Sequence, residues 1–190
     1  SREIQLPLTE PAAVELRAGD EVELTGAVLT GRDQACARLF QMLREQAELP
    51  VELVGQLIYF VGPSPARPGQ VIGSAGPTTS GRMNPFLPAF LARGLRGFIG
   101  KGYLGEAVKA ALVAHQGVYF GAIGGTGALL SGCIESAQVV AFPELVSEAI
   151  HLLRLRRFPA VVLYDTQGGD LYARVSPQPG CADGAESGPS

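Results

Sequence analysis

The sequence predicts an α/β domain that opens with strands and continues as alternating strands and helices, most of the strands running parallel. Three observations carry this prediction. Polar and apolar residues alternate over 3–8 and 21–29, the two-residue period of half-buried strands. From residue 70 onward, short apolar runs alternate with segments whose apolar residues recur every three to four positions. Glycine-rich turns stand where the runs give way to helical spacing, around 31, 76–81, 100–102 and 121–127.

The first strand, 3–8, is followed by a turn at Thr9-Glu10-Pro11 and a second strand, 21–29. A helix over 34–46 would bury Cys36, Leu39, Phe40 and Leu43. The compact apolar run 56–61 predicts a strand, and the proline-rich stretch 62–69 a rigid exposed loop. The remainder reads as strand 70–75, helix 85–93, strand 97–99, helix 105–115, strand 117–123, helix 126–132, strand 138–142, helix 143–154 and strand 160–165, with a last edge strand at 171–175. Residues 1–175 form one domain on this reading. The stretch 176–190 is rich in Ser, Pro, Gly and Asp and poor in large apolar residues, so a disordered tail is expected there.

Of 190 residues, 46% are hydrophobic and 17% charged, enough apolar material for a sizeable core and a surface with room for subunit contacts. Net charge is −3 and the basic residues are dispersed, which argues against nucleic-acid binding. No run approaches the roughly 20 apolar residues of a membrane span, and the start lacks the apolar core of a secretory signal, so a cytoplasmic protein is expected. Cys36, Cys133 and Cys181 match neither a disulfide framework nor a metal-binding spacing, and no metal ligands are expected from this chain. Cys36 and Cys133 fall in apolar helical patterns as buried thiols; His115 and His151 fall at helix ends.

The densest chemistry lies in Gly76-Pro77-Thr78-Thr79-Ser80-Gly81-Arg82-Met83, read as a turn between strand 70–75 and the following helix. Unpaired N–H groups at a helix start favour a carboxylate or phosphate, and Arg82 adds a bidentate fork. The alternative is an ordinary capped turn whose hydroxyls satisfy their own backbone. Thr30-Gly31-Arg32-Asp33 and Gly100-Lys101-Gly102 follow the same logic, each at the carboxyl end of a strand. Ligands of open α/β sheets collect outside those ends, so three cations from separate strands could meet one acidic ligand; the alternative for each is a solvated loop charge. Lys101 is one of only two lysines, which makes solubility filler a poor account of it. Gly121-Ala122-Ile123-Gly124-Gly125-Thr126-Gly127 is another glycine-rich junction, but it lacks the Lys-Ser/Thr of a nucleotide-binding loop and reads better as a close backbone approach.

Taken together, these motifs resemble the β subunit, or carboxy-terminal domain, of the iron–sulfur-dependent class I fumarases and L-tartrate dehydratases. The likeness runs from Leu24-Thr25-Gly26 and the Arg32 turn, through the 76–83 motif and Gly100-Lys101-Gly102, to Ala122-Ile123-Gly124-Gly125. It implies a swivelling β/β/α three-layer domain and one wall of an interfacial active site. It further implies a [4Fe–4S] cluster held by a cluster-bearing α subunit, with this chain in an α2β2 assembly or a homodimer. Arg32, Arg82 and Lys101 would grip the carboxylates of a dicarboxylate; Thr78, or the adjacent Thr79, would serve as base, with Lys101 assisting. Asn84 and Cys36 stand where many relatives carry an acidic residue and a histidine, which leaves substrate identity open. Fumarate and malate lead, with tartrate or methylated dicarboxylates as rivals and a non-catalytic dicarboxylate-binding module as a different class. Whether the chain is a separate subunit or a piece of a fused enzyme also stays open.

Overall fold

The computed structural model describes residues 2–62, 66, 68–73, 75–123 and 127–175. Its seven strands are β1 (Arg2–Gln5), β2 (Glu21–Gly31), β3 (Leu57–Phe60), β4 (Gly97–Gly100), β5 (Val118–Ala122), β6 (Ile134–Ala141) and β7 (Ile150–Tyr164). Six α-helices accompany them: α1 (Glu10–Glu15), α2 (Asp33–Arg44), α3 (Leu87–Ala92), α4 (Glu106–Ala114), α5 (Gly127–Ser131) and α6 (Leu171–Val175). Short 3-10 segments occupy Gly81–Met83 and Pro143–Glu148. The expected tail lies outside the described residues, as do Cys181 and the middle of the 121–127 junction.

β1 through β5 pair in chain order and in parallel. β7 returns antiparallel, pairing with β5 on one side, with β2 along most of its length, and with β6. Following the pairings β2–β3–β4–β5–β7–β2 therefore leads back to the start, so the sheet closes on itself. One core fills the inside of that ring with Val22, Leu24, Tyr59, Phe120, Leu155 and Phe158. A second core lies outside it, where Cys36 and Leu39 of α2, Phe90 of α3 and Leu112 of α4 cover Phe60, Phe98 and Tyr119. One seven-stranded sheet with helices packed outside it makes a mixed α/β domain, the class that the sequence predicts.

Several local expectations fail, each for a physical reason. The first strand stops at Gln5 because Leu6 still bonds Thr25 but Pro7 has no N–H to continue the ladder. The turn at 9–11 is the start of α1: Thr9 caps it by accepting the Ala12 N–H at 3.3 Å, and Pro11 sits in the first turn, where its missing donor costs nothing. Among the described residues of 70–75 no strand forms. Ile72 and Ala75 are buried, but β3 already has β2 and β4 as neighbours, and no free edge remains beside it. The helix expected at 143–154 is a 3-10 segment followed by β7, in which Leu153 and Leu155 point inward and Arg154 and Arg156 outward. His151 accordingly lies in a strand, its N–H donating to Thr30 Oγ1 at 2.8 Å. Cys133 lies between α5 and β6 rather than inside a helix. The edge strand expected at 171–175 is α6, because Asp170 Oδ1 accepts from the N–H groups of Tyr172 and Ala173 and so caps a helix.

Asp165, just past β7, holds three segments together. Its carboxylate is buried and accepts from the N–H groups of Ala18 at 2.9 Å and of Gln167 and Gly169 at 2.8 Å each. Burial alone would raise its pKa, but the three donors outweigh that effect and hold it below the ordinary aspartate range. A depressed folded pKa means stability that is present above the unfolded value of about 3.9 and lost as pH falls through the folded one. Asp165→Ala is expected to lower stability by about 3 kcal/mol at pH 7 and to flatten the acid limb of the melting-temperature profile. Scanning calorimetry from pH 7 to pH 2.5 checks it; an unchanged acid slope would show that Asp165 is not a linked group.

Candidate functional site

Because β2, β3, β4 and β5 are parallel and adjacent, their carboxyl ends at Gly31, Phe60, Gly100 and Ala122 share one edge of the sheet. Arg32 leaves β2 in extended conformation and caps α2. Its side chain lies against Gly62, where an added Cβ would come within 2.7 Å of Arg32 Cδ and make the arginine shift. The Arg32 Nε is buried and has no hydrogen-bond partner.

The 76–83 motif crosses the ends of β3 and β4 instead of joining a strand to a helix. It is tied down at its start, where the buried Tyr59 hydroxyl donates to the Ala75 carbonyl and the Ala75 N–H donates to Gly127 O at 3.1 Å. The Thr78 N–H then donates to Phe60 O at 2.8 Å, Thr79 bridges to Lys101, and the Ser80 N–H donates to Lys101 O at 2.9 Å. Only one 3-10 turn follows, and α3 begins at Leu87, so the motif is not the helix start expected of it. Thr78 Oγ1 is buried without a partner, whereas Thr79 is exposed. Arg82 is largely exposed and reaches back to Asp33, 3.3 Å away, beside Arg32. Arg32, Thr78, Thr79, Arg82 and Lys101 thus all belong to segments leaving or crossing one sheet edge.

The turn that carries Lys101 is held by side chains the sequence reading passed over. The Lys101 N–H donates to Ser80 Oγ at 3.1 Å, Ser80 Oγ lies 2.8 Å from the Tyr119 hydroxyl, and that hydroxyl donates to Gly102 O at 2.9 Å. A carbonyl only accepts, so Tyr119 spends its single proton on Gly102 and Ser80 must be the donor to Tyr119. The peptide groups flanking Lys101 are therefore closed into one directional relay. Burial pushes the Tyr119 phenol far above its ordinary range, which keeps it protonated and donating. Tyr172 accepts the Gly102 N–H at 3.1 Å, Tyr164 that of Leu104 at 3.1 Å, and Asn84 Oδ1 that of Gly105 at 2.9 Å. Asn84 thus has a backbone-holding role that needs no charge. The hydroxyl of Ser80 sits inside a recognised motif, but Tyr119 lies in an apolar run and reads as plain core.

Beside this turn opens a cavity of about 340 Å³ bounded by Gly76, Pro77, Gly100, Lys101, Leu130 and Tyr172. Of the five expected residues only Lys101 lines it; Arg32, Thr78, Thr79 and Arg82 lie along the edge outside. Cys36 is fully buried under Gly31, and burial first, with Asp33 and Glu148 adding, pushes its thiol up to about 12. It is a packing residue. Among the described residues no group of three or more His, Cys, Asp or Glu is placed to hold a metal ion, and none of the described helices is long and apolar enough to cross a membrane.

With this geometry established, comparison with known proteins fixes the class. The family model for the fumarase C-terminus matches residues 1–175, and the chain belongs to that family. It is 36% identical over 156 residues to the aerobic class I fumarate hydratase of Escherichia coli K12, covering 81% of this chain and 28% of that protein. It is 35% identical over 159 residues to fumarate hydratase 2 of Leishmania major, covering 83% of this chain and 28% of that protein. The chain thus spans about a third or less of the length of the curated fumarate hydratases it matches. A Methanocaldococcus jannaschii protein, provisionally named an L(+)-tartrate dehydratase β subunit, is 31% identical over 175 residues, which is 89% of this chain and 90% of that one. These relatives are named as hydro-lyases.

The relay makes a direct prediction. Tyr119→Phe leaves the Gly102 carbonyl without its donor and the Ser80 proton without its acceptor, lowers stability by about 1–3 kcal/mol, and speeds amide exchange at Lys101 and Gly102 well beyond the change at β3. Hydrogen exchange resolved by residue checks this, and equal protection at Lys101 in both proteins would rule out the relay as the restraint.

Proposed function

We propose that this chain supplies one wall of the active site of an iron–sulfur-dependent hydro-lyase that reversibly hydrates fumarate to malate, the other wall coming from a cluster-bearing α subunit. Family membership supports the reaction class. The observation that carries the site is the buried, unpartnered Thr78 Oγ1 beside the ends of β3 and β4, in a motif bonded to the lysine-bearing turn. A buried hydroxyl left without a partner costs about 1–3 kcal/mol, and such groups persist where a ligand or a reaction uses them.

Among the described residues no group of three or more His, Cys, Asp or Glu is placed to hold a metal ion; the [4Fe–4S] cluster is proposed for the partner because the family resemblance implies it. Bound there, it would supply the Lewis acid that draws off the substrate's hydroxyl. The work of this chain is electrostatic and acid–base. Arg32, Arg82 and Lys101 hold the two carboxylates and the charge that develops beside the carbon losing its proton. Thr78 takes that proton, a role that requires water to be excluded and a cation nearby to favour its alkoxide. Thr79, being exposed, is the poorer base and contacts substrate instead. Tartrate is the rival substrate, supported by likeness over nearly the full length of the β-subunit relative. Under this proposal the protein is cytoplasmic and works as a homodimer or an α2β2 assembly.

The test is anaerobic reconstitution with the cluster-bearing partner and assay against fumarate, L-malate and tartrate. Thr78→Ala is expected to lower kcat by about 10³-fold with KM changed little, and Thr79→Ala by far less. Substantial turnover by Thr78→Ala would move the base elsewhere. Arg82→Gln is expected to raise KM about tenfold or more, the loss of a charge-assisted hydrogen bond.

A further inference from the structure

Tyr172 is absent from every motif that pointed to the site, yet it bounds the same cavity as Lys101. It reaches there from α6, which is anchored at its start by Asp170. That carboxylate caps the helix and pairs with Lys109 Nζ at 2.7 Å, while the Asp170 backbone forms an antiparallel bridge with Tyr164. The ring is packed against Tyr103, centroids 4.5 Å apart, and against Tyr164 at 6.3 Å. Its position is therefore fixed from three sides.

The hydroxyl has one donor and two acceptor positions. One acceptor position is filled by the Gly102 N–H at 3.1 Å. Among the described residues no acceptor takes its proton. We infer that Tyr172 is a substrate-contacting residue, its O–H donating to a carboxylate or hydroxyl oxygen of the dicarboxylate held at Lys101. The inference rests on the hydro-lyase reading for the identity of the ligand. The contact has a design logic: accepting from Gly102 polarises the O–H and strengthens the bond it donates, and the same phenol that fixes the lysine turn senses what the lysine binds. An apolar wall at Leu130 faces the cavity as well, so the hydroxyl and Lys101 are what orient an anion there.

A fluorinated tyrosine whose phenol ionises near neutral pH, placed at position 172, separates this contact from mere packing. Its phenolate still accepts from Gly102 but can no longer donate. With the chain alone, titration with L-malate is expected to shift the fluorine resonance at position 172, while chloride at equal ionic strength does not. The affinity for malate is expected to fall roughly tenfold or more as pH rises through ionisation of that phenol, with unmodified protein showing no such fall. In the reconstituted pair, Tyr172→Phe should raise KM for the turned-over dicarboxylate by a similar factor with kcat within about twofold. No shift with malate, or an affinity indifferent to the phenol's ionisation, overturns the contact. A pair that binds malate through position 172 but turns over no dicarboxylate overturns the hydro-lyase reading and leaves the contact standing.

Discussion

Everything at the sheet edge depends on one steric allowance: the space beside Gly100 is taken by the hydroxyl of Ser80, and a Cβ on residue 100 would collide with it. That allowance lets the crossing segment lie directly against the end of β4. Thr79 can then pair with Lys101, and Ser80 can exchange two hydrogen bonds with the same residue, giving through its N–H and accepting through its oxygen. Gly62 provides the same service for Arg32 at the neighbouring strand end. Glycine here is a cavity in the backbone surface, shaped to receive a particular polar side chain. The chain places such cavities at the carboxyl ends of its parallel strands, where backbone carbonyls and amides run out of ladder partners and side chains must take over.

The cost of this arrangement identifies it. Four buried polar side-chain atoms among the described residues have no partner: Arg32 Nε, Thr78 Oγ1, Arg96 Nε and Thr166 Oγ1. Arg96 satisfies its other nitrogen on the carbonyls of His115 and Gln116 at the opposite end of the sheet, which makes it a local strut. The first two share the edge with Lys101, beside backbone groups that are paired at Thr78 and Ser80. Asp165 shows the contrast: a buried charge with three donors is stable in place and stabilises the fold. Arg32 Nε and Thr78 Oγ1 are the two that lie where the proposed site would use them.

The sequence exposed the candidate site residues better than the chain path that places them. Residues 32, 78, 79, 82 and 101 were visible because glycine, hydroxyl and cation cluster there, and the parallel order that puts them on one edge followed from the strand–helix rhythm. Hidden were the features set by long-range pairing. Over 150–164 the alternation of Leu153 and Leu155 with Arg154 and Arg156 is masked by Leu152, and Arg157 at positive φ adds a bulge that breaks the period again. In the run 70–75, Ile72 and Ala75 are apolar because they are buried, while Val71 is exposed. Leu171 to Val175 looked like an edge strand until Asp170 was seen capping it. Tyr119 and Tyr172 were invisible as polar residues, since a tyrosine in an apolar run declares its ring and conceals what its hydroxyl touches.

The exposure of this edge also bears on what the chain can do unaided. Lys101 and Arg82 stand largely in water, where two charges 4 Å apart interact by about 1 kcal/mol, against about 4 kcal/mol at the effective dielectric of a partly closed site. A cation so solvated cannot make a threonine hydroxyl into a base, because water screens the alkoxide as readily as the lysine does. The missing ingredient is therefore a low-dielectric cover. The fold leaves the edge open in a manner suited to one: the backbone around Lys101 is already clamped by Ser80, Tyr119, Tyr164, Tyr172 and Asn84, so a partner docking there under the proposed reaction would have no loop to order and its binding energy would go into excluding water. Under the proposed reaction, rigidity belongs to this chain and desolvation to its partner, and neither half possesses the chemistry until both are joined.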